Sequence, residues 1–221
     1  MTPRIEDISA AFIDFVAFLR RAEDQRLART IYRRLATGHP AQPPDIAAEV
    51  GLDLSDVEQR LDRWPAVFRN PDGAIVGFWG LASDKVSDHR FEADGAGTAW
   101  AWCAYDTLFI TRVLGTTARV SSRCPTTGAA VRLTVTPQGV TQLDPVESVM
   151  SLLTPDMPFD DHVIQTLCHY LHFFASRDAA DTWTAGHPGT FWVSVADAFE
   201  VGRQMTDAVF GAVIEAPRGA R

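Results

Sequence analysis

The apolar residues of the first 35 positions recur at helical steps, and this constrains the fold more than any other feature of the chain. Ile8, Ala11, Phe12, Phe15, Val16 and Leu19 fall three and four residues apart, which gives a helix one apolar face. Leu27, Ile31 and Leu35 follow in a second helical register that ends near Gly38 and Pro40. Two shorter helices come next. Pro43, Pro44 and Asp45 open the first, Gly51 closes it, and Asp53 or Ser55 caps the second. Then the pattern changes. In VFRNPDGAIVGFWGLA the run Asn70-Pro71-Asp72-Gly73 is a strong turn between apolar flanks, so the segment reads as a β-hairpin. Helices followed by a hairpin match the winged-helix plan, and residues 1–82 are read as a winged-helix-like N-terminal domain.

Residues 83–221 read as a second, catalytic core domain. It opens with the polar stretch SDKVSDHRFEADG. The segment AWAWCAYDTLFITRVL is nearly all apolar and is either helical or buried. ARVSSRC and AAVRLTVT read as strands, separated by the turn Pro125-Thr126-Thr127-Gly128. VESVMSLLT is apolar without a definite type, and HVIQTLCHYLHFFAS enters a strand. Ala179–Trp183 and Val195–Val213 read as helices. The expected fold class is therefore α+β: a winged-helix-like helical domain, then a β-rich core of antiparallel sheet with flanking helices.

Winged helices often bind DNA, and charge argues against it here. The would-be recognition helix, Ser55 to Trp64, sets Asp56, Glu58 and Asp62 against Arg60 and Arg63. Residues 1–82 hold ten arginines and twelve acids, and the whole chain carries −8. A DNA reader needs a basic footprint. No nucleic-acid partner is expected, and the N-terminal domain is read as packing on, or lidding, the second half. No apolar run reaches the roughly 18 residues that span a bilayer. MTPRIEDISAAF carries acids early and lacks the layout of a signal peptide. The expectation is a soluble, cytoplasmic protein with no membrane partner.

Three cysteines remain to be explained: Cys103, Cys124 and Cys168. Their odd number argues against a disulfide framework, and none is spaced for a zinc knuckle. Cys103 and Asp106 stand three apart, so on a helix they share a face. A carboxylate there can take the thiol's proton and later return a proton to a leaving group. The spacing alone is common, and buried cysteine often behaves as an inert small hydrophobe. Cys168 is followed by His169 and His172. On a helix Cys168 and His172 lie close enough to share a metal; on a strand Cys168, Tyr170 and His172 share a face; otherwise all three are core or surface residues. Cys124 starts a turn and is read as packing.

The run WAWCAYDTLFITRVLGTTARVSSRCPTTGAAVRLTV resembles the central signature of the organomercurial (alkylmercury) lyases. Within it Cys103 and Asp106 fall on the family's first catalytic cysteine and its catalytic aspartate. TLCHYLHFFAS resembles the second signature, with Cys168 on the second catalytic cysteine. The region of Trp183, Val193-Ser194-Val195 and Ala198-Phe199 is similar to the family's C-terminal part. The N-terminal half matches mainly in layout. His169 departs from the pattern, because family members often carry a further cysteine there. Cys124 matches a cysteine usually given a structural role.

The resemblance implies a lyase that splits a carbon–mercury bond by protonolysis. Mercury is soft and takes thiolate ligands. Two thiolates polarise the Hg–C bond, and Asp106, having taken the second thiol's proton, gives it to the departing carbon. Mercury ends as Hg(II) between Cys103 and Cys168, near Asp106. The resemblance implies no cofactor, an organomercurial substrate, and low-molecular-weight thiols and a mercuric reductase as acceptors of Hg(II). Trp100, Trp102, Tyr105, Phe109, Phe173 and Phe174 are expected either to form a dry pocket for the organic group or simply to be core. Two rivals stay open. One is a soft-metal-binding or sensing protein on the same scaffold without lyase activity; the other is a winged-helix DNA-binding regulator. Asp106 favours the enzyme, since pure capture needs no proton donor.

Overall fold

The computed structural model describes residues 3–155 and 162–214, with every side chain there except that of Phe15. The part of the expected core domain at 156–161 and 215–221 lies outside the described residues, as does Phe15's place on the first apolar face. Helix α1 (Ile5–Phe15) and helix α2 (Ala22–Leu35) are joined through a 3-10 turn at Ala17–Leu19. Their predicted faces point inward, with Ile8, Phe12, Leu27, Ile31 and Leu35 all buried. Helix α3 (Pro43–Val50) starts on two prolines, where a missing N–H costs no helical bond, and stops at Gly51 in the left-handed conformation. Helix α4 (Leu54–Arg63) turns Arg60 back onto Glu23 and Asp24 of α2.

The predicted hairpin forms from β1 (Val67–Arg69) and β2 (Ile75–Phe78). Asn70 holds its turn, with Oδ1 accepting from the N–H groups of Asp72 and Ala74 at 3.1 and 2.9 Å. The hairpin is hydrogen-bonded into a larger sheet. Strand β2 pairs with β3 (Leu81–Ala82), and β3 pairs with β5 (Thr98–Ala101), so the sheet runs across residue 82. Adding β4 (His89–Ala93), β6 (Ala118–Arg123), β7 (Ala130–Thr136) and β8 (Gly139–Asp144) gives eight strands, every neighbouring pair antiparallel, in the order β1-β2-β3-β5-β4-β6-β7-β8. In β6 burial alternates: Ala118 and Val120 face the core while Arg119 and Arg123 face water.

Helix α5 (Ala104–Leu114) is buried at every position from Ala104 to Thr111, as expected of a helix enclosed on all sides. Helix α8 (Val195–Ile214) packs along it. Gly202 permits the close approach, because a Cβ there would come within 3.2 Å of Phe109 Cβ. A second, three-stranded antiparallel sheet has the order β10-β9-β11, from β9 (Val149–Leu153), β10 (Phe173–Phe174) and β11 (Thr190–Ser194). Helix α6 (Val163–Thr166) and helix α7 (Arg177–Ala185) flank it in the chain. Mixed helix and antiparallel sheet is the α+β class expected.

The segments left open by the sequence now resolve. AWAWCAYDTLFITRVL is half strand and half helix, β5 then α5, with Cys103 at the switch. VESVMSLLT contains β9, whose five residues are all buried. HVIQTLCHYLHFFAS reaches its strand only at Phe173. Cys168 sits earlier, in a 3-10 turn over Cys168–Tyr170, so neither the helical nor the strand alignment of Cys168 with His172 holds. No helix among the described residues is long and apolar enough to cross a membrane.

Candidate active site

Cys103 occupies the point where β5 gives way to α5. Its backbone is extended (φ −143°, ψ 176°), and it is the N-cap of the helix. A capping box closes there. The Asp106 N–H donates to the Cys103 sulfur, and the Cys103 N–H donates to Asp106 Oδ2 at 2.9 Å. Serine or threonine paired with glutamate or glutamine normally makes this motif. Here a thiol and an aspartate make it, so the candidate site groups also hold the helix start. This corrects the picture of two residues on one helix face: Cys103 precedes the helix. It also places the sulfur against the unsatisfied N–H groups and the positive end of α5, which favours negative charge.

The turn that carries Cys168 is tied to the same helix start. Ala104 donates its N–H to the Leu171 carbonyl at 3.1 Å. Ser151 of β9 fixes the turn from the other side: its hydroxyl donates to the Tyr170 carbonyl at 2.7 Å and accepts the His172 N–H at 3.0 Å. As a result the sulfurs of Cys103 and Cys168 and a carboxylate oxygen of Asp106 lie within 4.8 Å of one another. All three residues are buried, at 1, 5 and 7% exposure. Two sulfurs and one oxygen make a donor set for a soft cation.

Electrostatics sets the resting protons. Burial pushes the Cys103 thiol well above its ordinary value, and its hydrogen bond to Cys168 and the charge of Asp106 push it further. The S–H of Cys103 draws Cys168 downward, but burial and Asp106 outweigh it, and Cys168 is also raised. Burial raises Asp106 to about 6, against the S–H and N–H of Cys103, which both stabilise the carboxylate. Near neutral pH the site therefore holds two thiols and one ionised carboxylate. A cation bound between the sulfurs would expel their protons, with the carboxylate beside them to receive one.

Asp106 and Cys168 border a small, largely enclosed apolar cavity of about 20 Å³, with Cys103 set behind its wall. Trp102, Tyr105 and Phe109 line it as expected. Phe173 and Phe174 do not; they are fully buried core residues of the second sheet. Trp100 does not either, since it sits on the outer face of the large sheet beneath the Lys85 ammonium at 5.4 Å. The N-terminal segment supplies residues that the sequence did not assign to the site. Phe12 stacks on Tyr105 at 4.5 Å between ring centroids, and Tyr32 donates its hydroxyl to the Trp79 carbonyl at 2.7 Å. Gly80 adopts φ +92°, and a Cβ on it would lie 2.5 Å from Asp106 Cγ. Only a glycine leaves room for the carboxylate there. Its one sequence signal was its position in the FWGLA exit from the hairpin. The Tyr105 hydroxyl is buried without a hydrogen-bond partner among the described residues.

The other candidates stand apart from the trio. All three cysteines are free thiols. Cys124 caps its turn through backbone bonds to Gly128 and Ala129. His172 donates its Nε2–H to the His169 carbonyl at 2.8 Å, and His169 itself is exposed.

Comparisons with known proteins point the same way. The alkylmercury lyase family model matches residues 82–207. The alkylmercury lyase of Staphylococcus epidermidis is 40% identical over 81% of this chain and 81% of its own. That of Pseudomonas putida is 38% identical over 78% of this chain and 79% of its own, and that of Streptomyces lividans 37% over 83% of both. Among solved structures, the mercury-bound form of MerB2 aligns with 92% of this chain and 99% of that one, at TM-score 0.73. Its sequence identity is 22%, so that likeness concerns the fold.

Proposed function

The chain belongs to the alkylmercury lyase family, and from that premise we propose that Cys103, Cys168 and Asp106 break the carbon–mercury bond of an alkyl- or arylmercury substrate by protonolysis. The observation that carries this reading is the convergence of two buried sulfurs and one buried carboxylate within 4.8 Å. Cys168 is the first ligand. Of the two cysteines it is the one that borders the apolar cavity, and the Cys103 S–H draws its thiol downward although burial and Asp106 raise both thiols. Binding of R–Hg⁺ displaces the Cys168 proton to solvent. Asp106 then takes the proton of Cys103, whose sulfur becomes the second ligand.

The second thiolate adds electron density to mercury and weakens the Hg–C bond. That bond breaks with its electron pair on carbon, and Asp106 gives carbon the proton it took from Cys103. The products are R–H and Hg(II) held by two thiolates. The capping box supports this exchange. The Cys103 N–H already holds the carboxylate against the sulfur, so no side chain has to search for its partner. The apolar cavity keeps water from the leaving carbon. The protein's own groups supply every step of bond cleavage, and small thiols and a mercuric reductase accept the Hg(II) afterwards. Retention of Asp106 favours a lyase over a mercury trap.

The test is product analysis. Cys103→Ala and Cys168→Ala should each release no methane or benzene from methyl- or phenylmercury. Full activity in either variant would remove the two-thiolate mechanism.

A further inference from the structure

Cys168 faces two ways. One side borders the closed cavity; the other lines an open groove of about 490 Å³, together with Trp102, Arg123, His169 and His172. Trp102 also borders both spaces, so Cys168 and Trp102 form the partition between them. Cys103 and Asp106 do not line the groove. A soft ion between two thiolates leaves by exchange for other sulfur ligands. The incoming sulfur must reach one of the two cysteines first, and Cys168 is the one with a face on open space.

The groove's charges say what kind of thiol fits. Arg123 stands exposed at the end of β6, and its guanidinium donates to the Gly128 carbonyl at 3.3 Å. No carboxylate among the described residues forms an ion pair with it. Asp88, the acid lining the groove, is taken up by Lys85 at 3.2 Å. The groove thus offers one guanidinium with free donors. Arginine's planar fork suits a carboxylate.

We propose that this groove binds the thiol that removes mercury, and that Arg123 selects thiols bearing a carboxylate. The proposal rests on the mercury-holding role given above to Cys103 and Cys168. The incoming thiol loses its proton as its sulfur bonds to mercury. The Hg–S bond to Cys168 breaks with its electron pair on that sulfur, which takes up a proton. A second thiol repeats the exchange at Cys103, and mercury leaves as a bis-thiolate with no change in oxidation state.

The experiment loads the full chain with an equimolar amount of HgCl₂ and follows mercury transfer to mercaptopropionate, mercaptoethanol and cysteamine. Loading with inorganic mercury makes the result independent of the lyase step. An exposed ion pair is worth up to about 1 kcal/mol, so Arg123→Gln should raise the half-saturating mercaptopropionate concentration about three- to fivefold. Mercaptoethanol should change less than about twofold, since it makes no such pair. Arg123→Glu should shift the preference toward cysteamine. If Arg123→Gln affects mercaptopropionate and mercaptoethanol equally, or neither, the groove is not the selective thiol site. Absence of hydrocarbon release by the parent protein would instead overturn the lyase mechanism and leave this transfer assay unaffected.

Discussion

Replacing Gly80 by alanine should damage both stability and chemistry, and the structure gives the size of each effect. Gly80 has φ +92°, and an added Cβ would fall 2.5 Å from Cγ and Oδ1 of Asp106 and 2.9 Å from its Cβ. Left-handed backbone costs a residue with a Cβ about 1–2 kcal/mol. Overpacking against a buried group adds about 1–3 kcal/mol, for a total of about 2–5 kcal/mol. At this chain length a kcal/mol is worth roughly 2–4 °C, so Tm should fall by roughly 4–20 °C. Gly73→Ala is the control. Its φ is +82°, but a Cβ there meets nothing within 4 Å. It should pay only the backbone cost, about 1–2 kcal/mol, and keep full activity. In Gly80→Ala the carboxylate must shift by about an ångström, which should slow hydrocarbon release by about 10²-fold. Thermal melts and single-turnover benzene release from phenylmercury measure both quantities. Equal melting losses and equal activity in the two variants would refute the claim that Gly80 makes room for Asp106.

Asp106→Asn should still bind mercury through the two sulfurs but should release hydrocarbon about 10²–10⁴ times more slowly, the usual loss on removing a general acid; gas chromatography of the headspace beside mercury retention on a desalting column checks both. The same residue should shape stability against pH. Its carboxyl is raised to about 6 in the folded chain from an ordinary value of 3.8, so the folded state holds that proton more tightly than the unfolded state. Folding is favoured below about pH 4, and the cost of the buried carboxylate grows up to about pH 6 and then stays constant, reaching about 3 kcal/mol. Urea titrations at the two pH values should show this loss in the parent and not in Asp106→Asn; identical profiles would contradict it. In the parent, kcat/KM should rise with pH through about 6, because Asp106 must be ionised to accept the Cys103 proton. Tyr105→Phe removes a buried hydroxyl that has no partner among the described residues. It should raise stability by about 1 kcal/mol or more, measured by urea denaturation, and a loss of stability would show that the hydroxyl is satisfied in solution.

The convergence of Cys103, Cys168 and Asp106 was legible because family signatures joined residues that local spacing leaves weak. Spacing alone put Cys103 and Asp106 on one helix face, whereas they cap the helix. The reason is that β5 runs extended through Cys103, and sequence pattern does not mark where an apolar stretch changes from strand to helix. The hairpin turn at Asn70 was readable because its hydrogen bonds are local. β9 was not, because a strand buried on both faces carries no alternation. The 3-10 turn of Cys168 depends on Ser151 and Ala104, which are distant in sequence. The places of Gly80 and Phe12 beside the site escaped notice for the same reason: their fit against Asp106 and Tyr105 exists only after the chain has folded.

The central claim is that one molecule of protein converts one molecule of substrate by spending both thiols and the proton of Cys103. The direct measurement is a single turnover of methylmercury without added thiol, with methane counted in the headspace and mercury's ligands read by X-ray absorption. Methane should equal the protein present and then stop, with mercury bound to two sulfurs. Continued turnover without thiol, or mercury left on a single sulfur after methane has formed, would contradict that claim.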